Sequence, residues 1–205
     1  MTVEVKICGL TNSDDAAAAL DSGADYLGFI LYSESPRGIT ADKLINILDK
    51  IDASGKVIGV FVNEACNNVR KISEDCALHA IQFHGDENPA DFSEMPCSVW
   101  RAVKCQDNTF VPSPEKWKAA RYVIDAAVPG MYGGTGITAD WTAAAKFASQ
   151  YPVMLSGGLT PDNIAKAIHV VRPIGVDTAS GVESVPGKKD HGKMRDFIKN
   201  AKAVL

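Results

Sequence analysis

Apolar runs and helical patterns alternate along the whole chain. Runs of β-forming or consecutive apolar residues begin near residues 3, 26, 57, 79, 99, 122, 153 and 174, at intervals of 20 to 31 residues. Consecutive apolar positions, as over 26–31, are typical of strands that are buried on both faces of a parallel sheet. Apolar residues at helical spacing follow these runs over 14–20, 43–51, 67–76, 143–148, 163–171 and 194–204, with short candidates at 90–92 and 115–118. The chain therefore repeats a strand–helix unit.

Eight such units predict an α/β fold, namely a (β/α)8 TIM barrel whose central sheet has eight parallel strands. A length of 205 residues is close to the lower limit of about 200 residues for this fold, so we expect short loops and a single barrel domain over 1–205. A doubly wound open sheet is the alternative. That fold usually carries a glycine-rich fingerprint after its first strand, and Cys8-Gly9-Leu10-Thr11-Asn12 lacks the G-x-G-x-x-G spacing.

Composition argues against nucleic acid, a membrane and a metal ion as binding partners of this protein. The formal net charge of −4 provides no basic field for nucleic acid, although a local cationic pocket for one phosphate is compatible with it. The apolar runs are too short to span a bilayer and the first residues do not resemble a signal peptide, so we expect a cytoplasmic protein with no membrane partner. The five cysteines are scattered without the spacing of a zinc site, which favours reduced thiols and no metal.

Several chemically capable side chains follow the predicted strands. Because the carboxyl ends of barrel strands converge on one face, these side chains are candidates for an active site: Cys8, Arg37, His84, Asp125 and Asp177. The thiol and the Asp125 carboxylate suggest a base and an acid, and the planar fork of Arg37 suits a carboxylate. The alternatives are a buried apolar role for Cys8, a solvated surface charge for Arg37 and a hydrogen-bonded rim position for His84.

The proposed base raises one further question, since a thiol must lose its proton before it can accept another. Strand alternation is expected to turn Lys6 away from the face of Cys8. The sequence therefore identifies no group that would lower the pKa of the thiol.

Two loops have the features of an anion site. Gly157 and Gly158 allow close approach of a ligand to the backbone, and Thr160-Pro161 is expected to start a helix whose free N–H groups point at the ligand. Ser180 and Gly181 offer further N–H donors after the eighth strand, and these two loops often hold a phosphate in barrels. The alternative is a tight strand-to-helix turn without a ligand.

A glycine-rich segment over 129–138 follows Asp125. Its glycines and threonine, Gly133, Gly134, Thr135 and Gly136, make a regular element unfavourable. Its position beside the candidate acid predicts a mobile cover that excludes water. An ordinary flexible connection is the alternative.

Seven motifs in this order resemble the phosphoribosylanthranilate isomerase family of tryptophan biosynthesis over the whole chain. They are Lys6-Ile7-Cys8-Gly9-Leu10, Ser35-Pro36-Arg37, Gln82-Phe83-His84-Gly85, Asp125, Gly133-Gly134-Thr135-Gly136, Ser156-Gly157-Gly158-Leu159 and Asp177-Thr178-Ala179-Ser180-Gly181-Val182-Glu183. The resemblance implies a barrel that converts N-(5-phospho-β-D-ribosyl)anthranilate into 1-(2-carboxyphenylamino)-1-deoxy-D-ribulose 5-phosphate. This Amadori rearrangement needs no cofactor.

The resemblance also implies roles for individual residues. Cys8 matches the general base, Asp125 the general acid and Arg37 the residue that meets the anthranilate carboxylate. Gly157, Gly158, Ser180 and Gly181 match the phosphate loops, and His84 and Asp177 match residues that line the site.

Two alternatives stay open at this point. One is another sugar-phosphate isomerase or epimerase barrel, although the related histidine-pathway isomerase has an aspartate where this chain has Cys8. The other is a barrel that binds a phosphorylated ligand without catalysis. In each case we expect a small phosphorylated molecule as the partner, and a monomer or a homodimer.

Overall fold

The computed structural model describes residues 3–92, 94–106, 109–125 and 140–204. Within these residues, eight parallel strands form the barrel. Their bounds are β1 Glu4–Ile7, β2 Tyr26–Ile30, β3 Val57–Phe61, β4 Ala80–Phe83, β5 Ser98–Gln106, β6 Arg121–Asp125, β7 Val153–Leu155 and β8 Gly175–Thr178. Each begins within two residues of its predicted start, because the strands are the most continuously apolar parts of the chain.

The sheet closes on itself. Each strand pairs in parallel with the next one along the chain, and β8 pairs in parallel with β1, where Lys6 lies opposite Asp177. The predicted barrel of eight parallel strands is therefore confirmed. Its closing seam joins the first and the last strands of the barrel.

Helices lie between the strands. Their bounds are α1 Ser13–Asp21, α2 Ala41–Leu48, α3 Cys66–Asp75, α4 Pro114–Trp117, α5 Trp141–Ala148, α6 Ile164–Val171 and α7 His191–Lys202. Capping side chains fix the N-termini of several helices. Asn12 accepts a hydrogen bond from the N–H of Asp15 at 2.8 Å, and Thr40 accepts one from the N–H of Lys43. The two short candidates are a 3-10 turn at Pro89–Phe92 and the single turn of α4.

Three short elements were not predicted from the pattern. Thr109–Val111 pairs antiparallel with the end of β5. A 3-10 turn at Ser180–Val182 leads from β8 into a hairpin of Glu183–Val185 and Lys188–Lys189. These segments are too short and too polar for a periodic pattern to reveal them.

The interior of the barrel has an apolar lower half. Six inward-facing residues form a buried cluster there: Tyr26, Ile58, Ala80, Trp100, Val123 and Met154. The guanidinium of Arg121 lies 5.2 Å from the ring centre of Tyr26 and 5.0 Å from that of Trp100, and it forms an ion pair with Glu4. This lower layer stabilises the barrel and leaves the opposite end for polar side chains. Within the described residues, no helix is long and apolar enough to span a bilayer.

Candidate active site

The upper half of the barrel interior is polar. Lys6, Gln82, Asp125 and Asp177 alternate with apolar residues on their strands, and each is at most 5% exposed. Period-two alternation turns these side chains into the barrel above the apolar cluster. Charged side chains are rarely buried without a partner or a function. The carboxyl end of the barrel is therefore the candidate active site.

Cys8 lies where β1 ends. Its N–H donates to the carbonyl of Thr178 at 2.8 Å, across the closing seam, and its side chain is buried. Burial raises the pKa of the thiol, and the charge of Asp177 adds to this, while Lys6 and Lys189 act in the opposite direction. Cys8 is therefore buried, as the apolar alternative expects, but charged side chains lie close to its thiol.

The expectation that Lys6 points away from Cys8 is wrong. Residues two apart on a strand share a face, so both side chains enter the barrel. The Lys6 ammonium donates to Asp177 Oδ2 at 2.9 Å. Correct use of the alternation would have found this residue from the sequence.

His84 and Asp125 come together across the barrel rim. The His84 Nε2 atom lies 3.4 Å from Asp125 Oδ2, which is within ion-pair distance. The other ring nitrogen, Nδ1, lies 3.3 Å from the side-chain nitrogen of Gln82. In the sequence, Gln82 stands out only as part of a motif, and its inward register on β4 is the signal that places it in the site.

Arg37 is held by a buried carboxylate. Its Nε donates to Glu183 Oε1 at 2.8 Å and its Nη2 donates to Oε2 at 2.7 Å. Lys189 donates to Glu183 Oε1 at 3.0 Å and to the carbonyl of Ala179 at 3.0 Å. The hydrogen bond with Glu183 raises the pKa of Arg37 despite burial. Because Arg37 is only 7% exposed, the alternative of a solvated surface charge is wrong.

Sequence reasoning misses two site residues: Glu183, which binds Arg37, and Lys189, which binds Glu183. Glu183 and Lys189 belong to the unpredicted hairpin, and the Pro186-Gly187 turn between them was the available sequence signal. Burial lowers the pKa of Lys189, although the carboxylate of Glu183 opposes the shift. Burial favours a higher pKa for Glu183, but Arg37 and Lys189 outweigh it and lower that pKa.

The loop after β7 has the backbone that its glycines allow. Gly157 and Gly158 have φ angles of 88° and 62°, in the region that glycine adopts without strain. Asn163 accepts a hydrogen bond from the N–H of Thr160 at 2.9 Å and donates to the carbonyl of Gly158 at 2.9 Å. The helix begins at Ile164, later than predicted, because the segment before it forms a turn that Asn163 closes. The N–H of Thr160 is therefore not available to a ligand.

The loops after β7 and β8 are joined directly. The hydroxyl of Thr178 donates to the carbonyl of Leu159 at 2.9 Å. A Cβ on Gly181 would lie 1.9 Å from that carbonyl oxygen, so this position has no room for a side chain. Among the described residues, no backbone carbonyl accepts the N–H groups of Gly158, Ser180 or Gly181. These donors surround one recess.

The recess is small and partly open to solvent. Its walls are the two loops, 156–159 and 178–181, and two side chains of the barrel interior, Asp125 and Asp177. Backbone N–H groups without protein acceptors suit an anion. The two predicted phosphate loops thus share one cavity with the candidate acid.

Two other expectations concern a mobile cover over the site and the absence of a metal site. The predicted cover, with Gly133, Gly134, Thr135 and Gly136, lies outside the described residues. In the described ranges, no three histidine, cysteine or acidic side chains are grouped as metal ligands would be.

Comparison with known proteins gives consistent matches in sequence and structure. The family model described as N-(5'phosphoribosyl)anthranilate (PRA) isomerase matches residues 5–200. An N-(5'-phosphoribosyl)anthranilate isomerase of Trichlorobacter lovleyi is 41% identical over 204 residues, which cover 99% of this chain and 100% of the relative. The crystal structure of phosphoribosyl anthranilate isomerase from Thermotoga maritima has a TM-score of 0.84 at 36% identity, covering 98% of this chain and 99% of that one.

A second solved structure carries a ligand. It is a phosphoribosyl anthranilate isomerase in complex with reduced 1-(o-carboxyphenylamino)-1-deoxyribulose 5-phosphate, with a TM-score of 0.81 at 34% identity over 98% of this chain and 99% of that one. The sequence matches extend over nearly the whole chain, and the fold is the same closed barrel. This chain therefore belongs to the phosphoribosylanthranilate isomerase family of tryptophan biosynthesis.

Proposed function

We propose that this protein converts N-(5-phospho-β-D-ribosyl)anthranilate into 1-(2-carboxyphenylamino)-1-deoxy-D-ribulose 5-phosphate, with Cys8 as general base and Asp125 as general acid. The observation that carries the proposal is the shared cavity, in which Asp125 forms a wall of the recess between the two glycine loops. A phosphate held by those loops places its attached sugar next to this carboxyl group. Membership of the family makes a different sugar-phosphate isomerase a weaker candidate.

Two sets of contacts would orient the substrate. The N–H groups of Gly158, Ser180 and Gly181 would bind the phosphate. Glu183 engages the Nε and Nη2 atoms of Arg37, which leaves Nη1 as a donor to the anthranilate carboxylate. The related isomerase that was solved with a reduced product carries the same two anionic groups on its ligand.

The rearrangement begins with an acid step. Asp125 donates a proton to the ring oxygen of the ribose, the bond from that oxygen to C1′ breaks, and the nitrogen lone pair forms a C1′=N double bond. The product is an open-chain, protonated Schiff base. His84, 3.4 Å from Asp125, keeps the carboxyl group directed at the rim of the barrel.

The second step is proton removal. The Cys8 thiolate takes the proton from C2′, the C–H electron pair forms a C1′=C2′ bond, and the electrons of the C=N bond return to nitrogen. Proton loss from the C2′ hydroxyl and proton gain at C1′ then give the ketone. Because burial raises the pKa of Cys8, kcat/KM is expected to rise with pH until the thiol ionises.

Turnover followed by anthranilate fluorescence tests the proposal. Cys8→Ser and Asp125→Asn should each lower kcat by roughly 10²-fold or more, while affinity for a reduced product analogue changes much less. Cys97→Ser is the matched control, because Cys97 lies just before β5 and does not line the recess, and it should leave kcat unchanged.

Two outcomes would contradict the proposal. A wild-type protein that binds the analogue without turnover would be a binding barrel. Near-normal kcat in Cys8→Ser would exclude the thiolate and favour a base among the carboxylates, Asp125 and Asp177.

A further inference from the structure

Lys6 is a lysine in the interior of the barrel. Its side chain is 0% exposed, and Asp177 beside it is 4% exposed. The ammonium donates to Asp177 Oδ2 at 2.9 Å, while Asp177 Oδ1 has no hydrogen-bond partner within the described residues. A buried ion pair contributes little net stability because both charges lose their hydration. A well-packed apolar pair would fill this space at lower cost, so stability alone does not explain why the two charges are buried here.

The side chains of Lys6 and Cys8 lie next to each other over Gly28. A Cβ on Gly28 of β2 would lie 2.8 Å from Cys8 Sγ and 3.0 Å from Lys6 Cε. The sulfur and the end of the lysine chain are therefore both packed over the glycine. Lys6 and Asp177 are also directly opposite each other on the seam between β1 and β8. This arrangement places the ion pair beneath the thiol.

Four charged groups act on Cys8. Lys6 and Asp177 lie on the adjoining strands, Lys189 approaches from the hairpin, and Arg37 approaches from the loop after β2. Glu183 already binds Arg37 and Lys189. The pKa of Lys6 is raised, because Asp177 and Cys8 together outweigh the opposing effect of burial. Lys6 therefore keeps its proton and its positive charge at neutral pH.

We infer that Lys6 is a positioning residue whose ammonium is the counter-ion of the Cys8 thiolate, and that Asp177 holds this ammonium beneath the sulfur. The inference rests on the proposed base role of Cys8. When the thiolate takes the C2′ proton, its charge disappears, and Asp177 remains as the counter-ion of the Lys6 ammonium. Lys6 touches no substrate atom in this scheme and moves no proton.

The test measures the ionisation of the Cys8 thiol and does not depend on turnover. The rate at which iodoacetamide modifies Cys8 is followed against pH in ligand-free protein, with mass spectrometry of the peptide that contains Cys8. In Lys6→Met, the midpoint of the pH profile should rise by about one unit, so that modification below the midpoint is about tenfold slower. In Asp177→Asn, the midpoint should fall, since the ammonium loses its other anion. Cys66, which is partly exposed at the start of α3, is the reference thiol in the same digest, and its profile should not change.

The two variants separate charge from packing. A purely structural role for Lys6 would change the plateau rate at high pH, through access to Cys8, and would leave the midpoint in place. An unchanged or lowered midpoint in Lys6→Met would overturn the inference. If Lys6→Met does not fold, Asp177→Asn decides the matter, and an unchanged or raised midpoint there would overturn it. Near-normal kcat in Cys8→Ser would remove the base role alone, because the alkylation profiles do not depend on turnover.

Discussion

Replacing Glu183 with glutamine tests how the site holds Arg37. The carboxylate lies between two cations, with hydrogen bonds of 2.8 and 2.7 Å to Arg37 and one of 3.0 Å to Lys189. Glutamine keeps the shape and one acceptor oxygen, but it removes the negative charge from a residue that is only 8% exposed. Breaking one side of a buried ion pair costs about 3–5 kcal/mol. Because glutamine retains one acceptor oxygen, the lower end of this energy range applies. We therefore expect the free energy of unfolding to fall by about 3 kcal/mol.

Urea denaturation and steady-state kinetics provide the measurements. The urea midpoint should fall without a change in slope, and KM should rise more than kcat falls, because Arg37 loses the contact that directs it. Asp75→Asn is the matched control, since it breaks the exposed Lys71–Asp75 pair on α3 and should leave both the midpoint and KM unchanged.

The pH dependence checks the sign of the effect. Arg37 and Lys189 lower the pKa of Glu183 below its ordinary 4.5, against the effect of burial. The stabilisation is therefore fully present above pH 4.5 and is lost as the pH falls towards the pKa of the folded state. The difference between wild type and Glu183→Gln should be smaller at pH 3.5 than at pH 7. Equal urea midpoints at pH 7, or a difference that does not shrink in acid, would refute this account of the ion pair.

Two glycines give further predictions. Gly181→Ala places a Cβ 1.9 Å from the Leu159 carbonyl oxygen, so the loops after β7 and β8 must separate. KM and the inhibition constant of inorganic phosphate should both rise. Unchanged values of the two constants would disprove the phosphate site. Gly28→Ala places a Cβ 2.8 Å from Cys8 Sγ and should lower kcat by roughly 10- to 10²-fold through displacement of the base. Phosphate inhibition of Gly28→Ala should stay normal, and a normal kcat would show that the position of Cys8 is not critical.

The barrel was predictable because each strand carries a strong local signal. Consecutive apolar residues on β2 and β3 indicate burial on both faces, and apolar residues at helical spacing indicate the helices that follow strands. The candidate residues were predictable for the same reason, since strand ends converge in this fold. Cys8, Asp125 and Asp177 could thus be placed on one face before any coordinates were known.

The charged residues that surround Arg37 could not be predicted from local sequence patterns. Glu183 and Lys189 lie opposite each other on a short hairpin, and lysine and glutamate are usually exposed. Their burial depends on Arg37, which is 146 residues from Glu183 along the chain. Local patterns carry no information about such a distant partner. Lys6 is different, because its face follows from strand alternation alone.

The closing seam of the barrel has a consequence for the synthesis of the protein. Lys6 and Asp177 are 171 residues apart, and Arg37 meets Glu183 only when the hairpin after β8 is in place. A ribosome makes the chain from its first residue onward, so residues 6, 8 and 37 emerge long before their partners. Growing chains that stop short of residue 175 contain most of the strands but none of the closing contacts. The candidate active site is thus completed only after β8 and the hairpin that follows it have been made, and we expect a chain truncated before residue 175 to be inactive however many of its strands have formed.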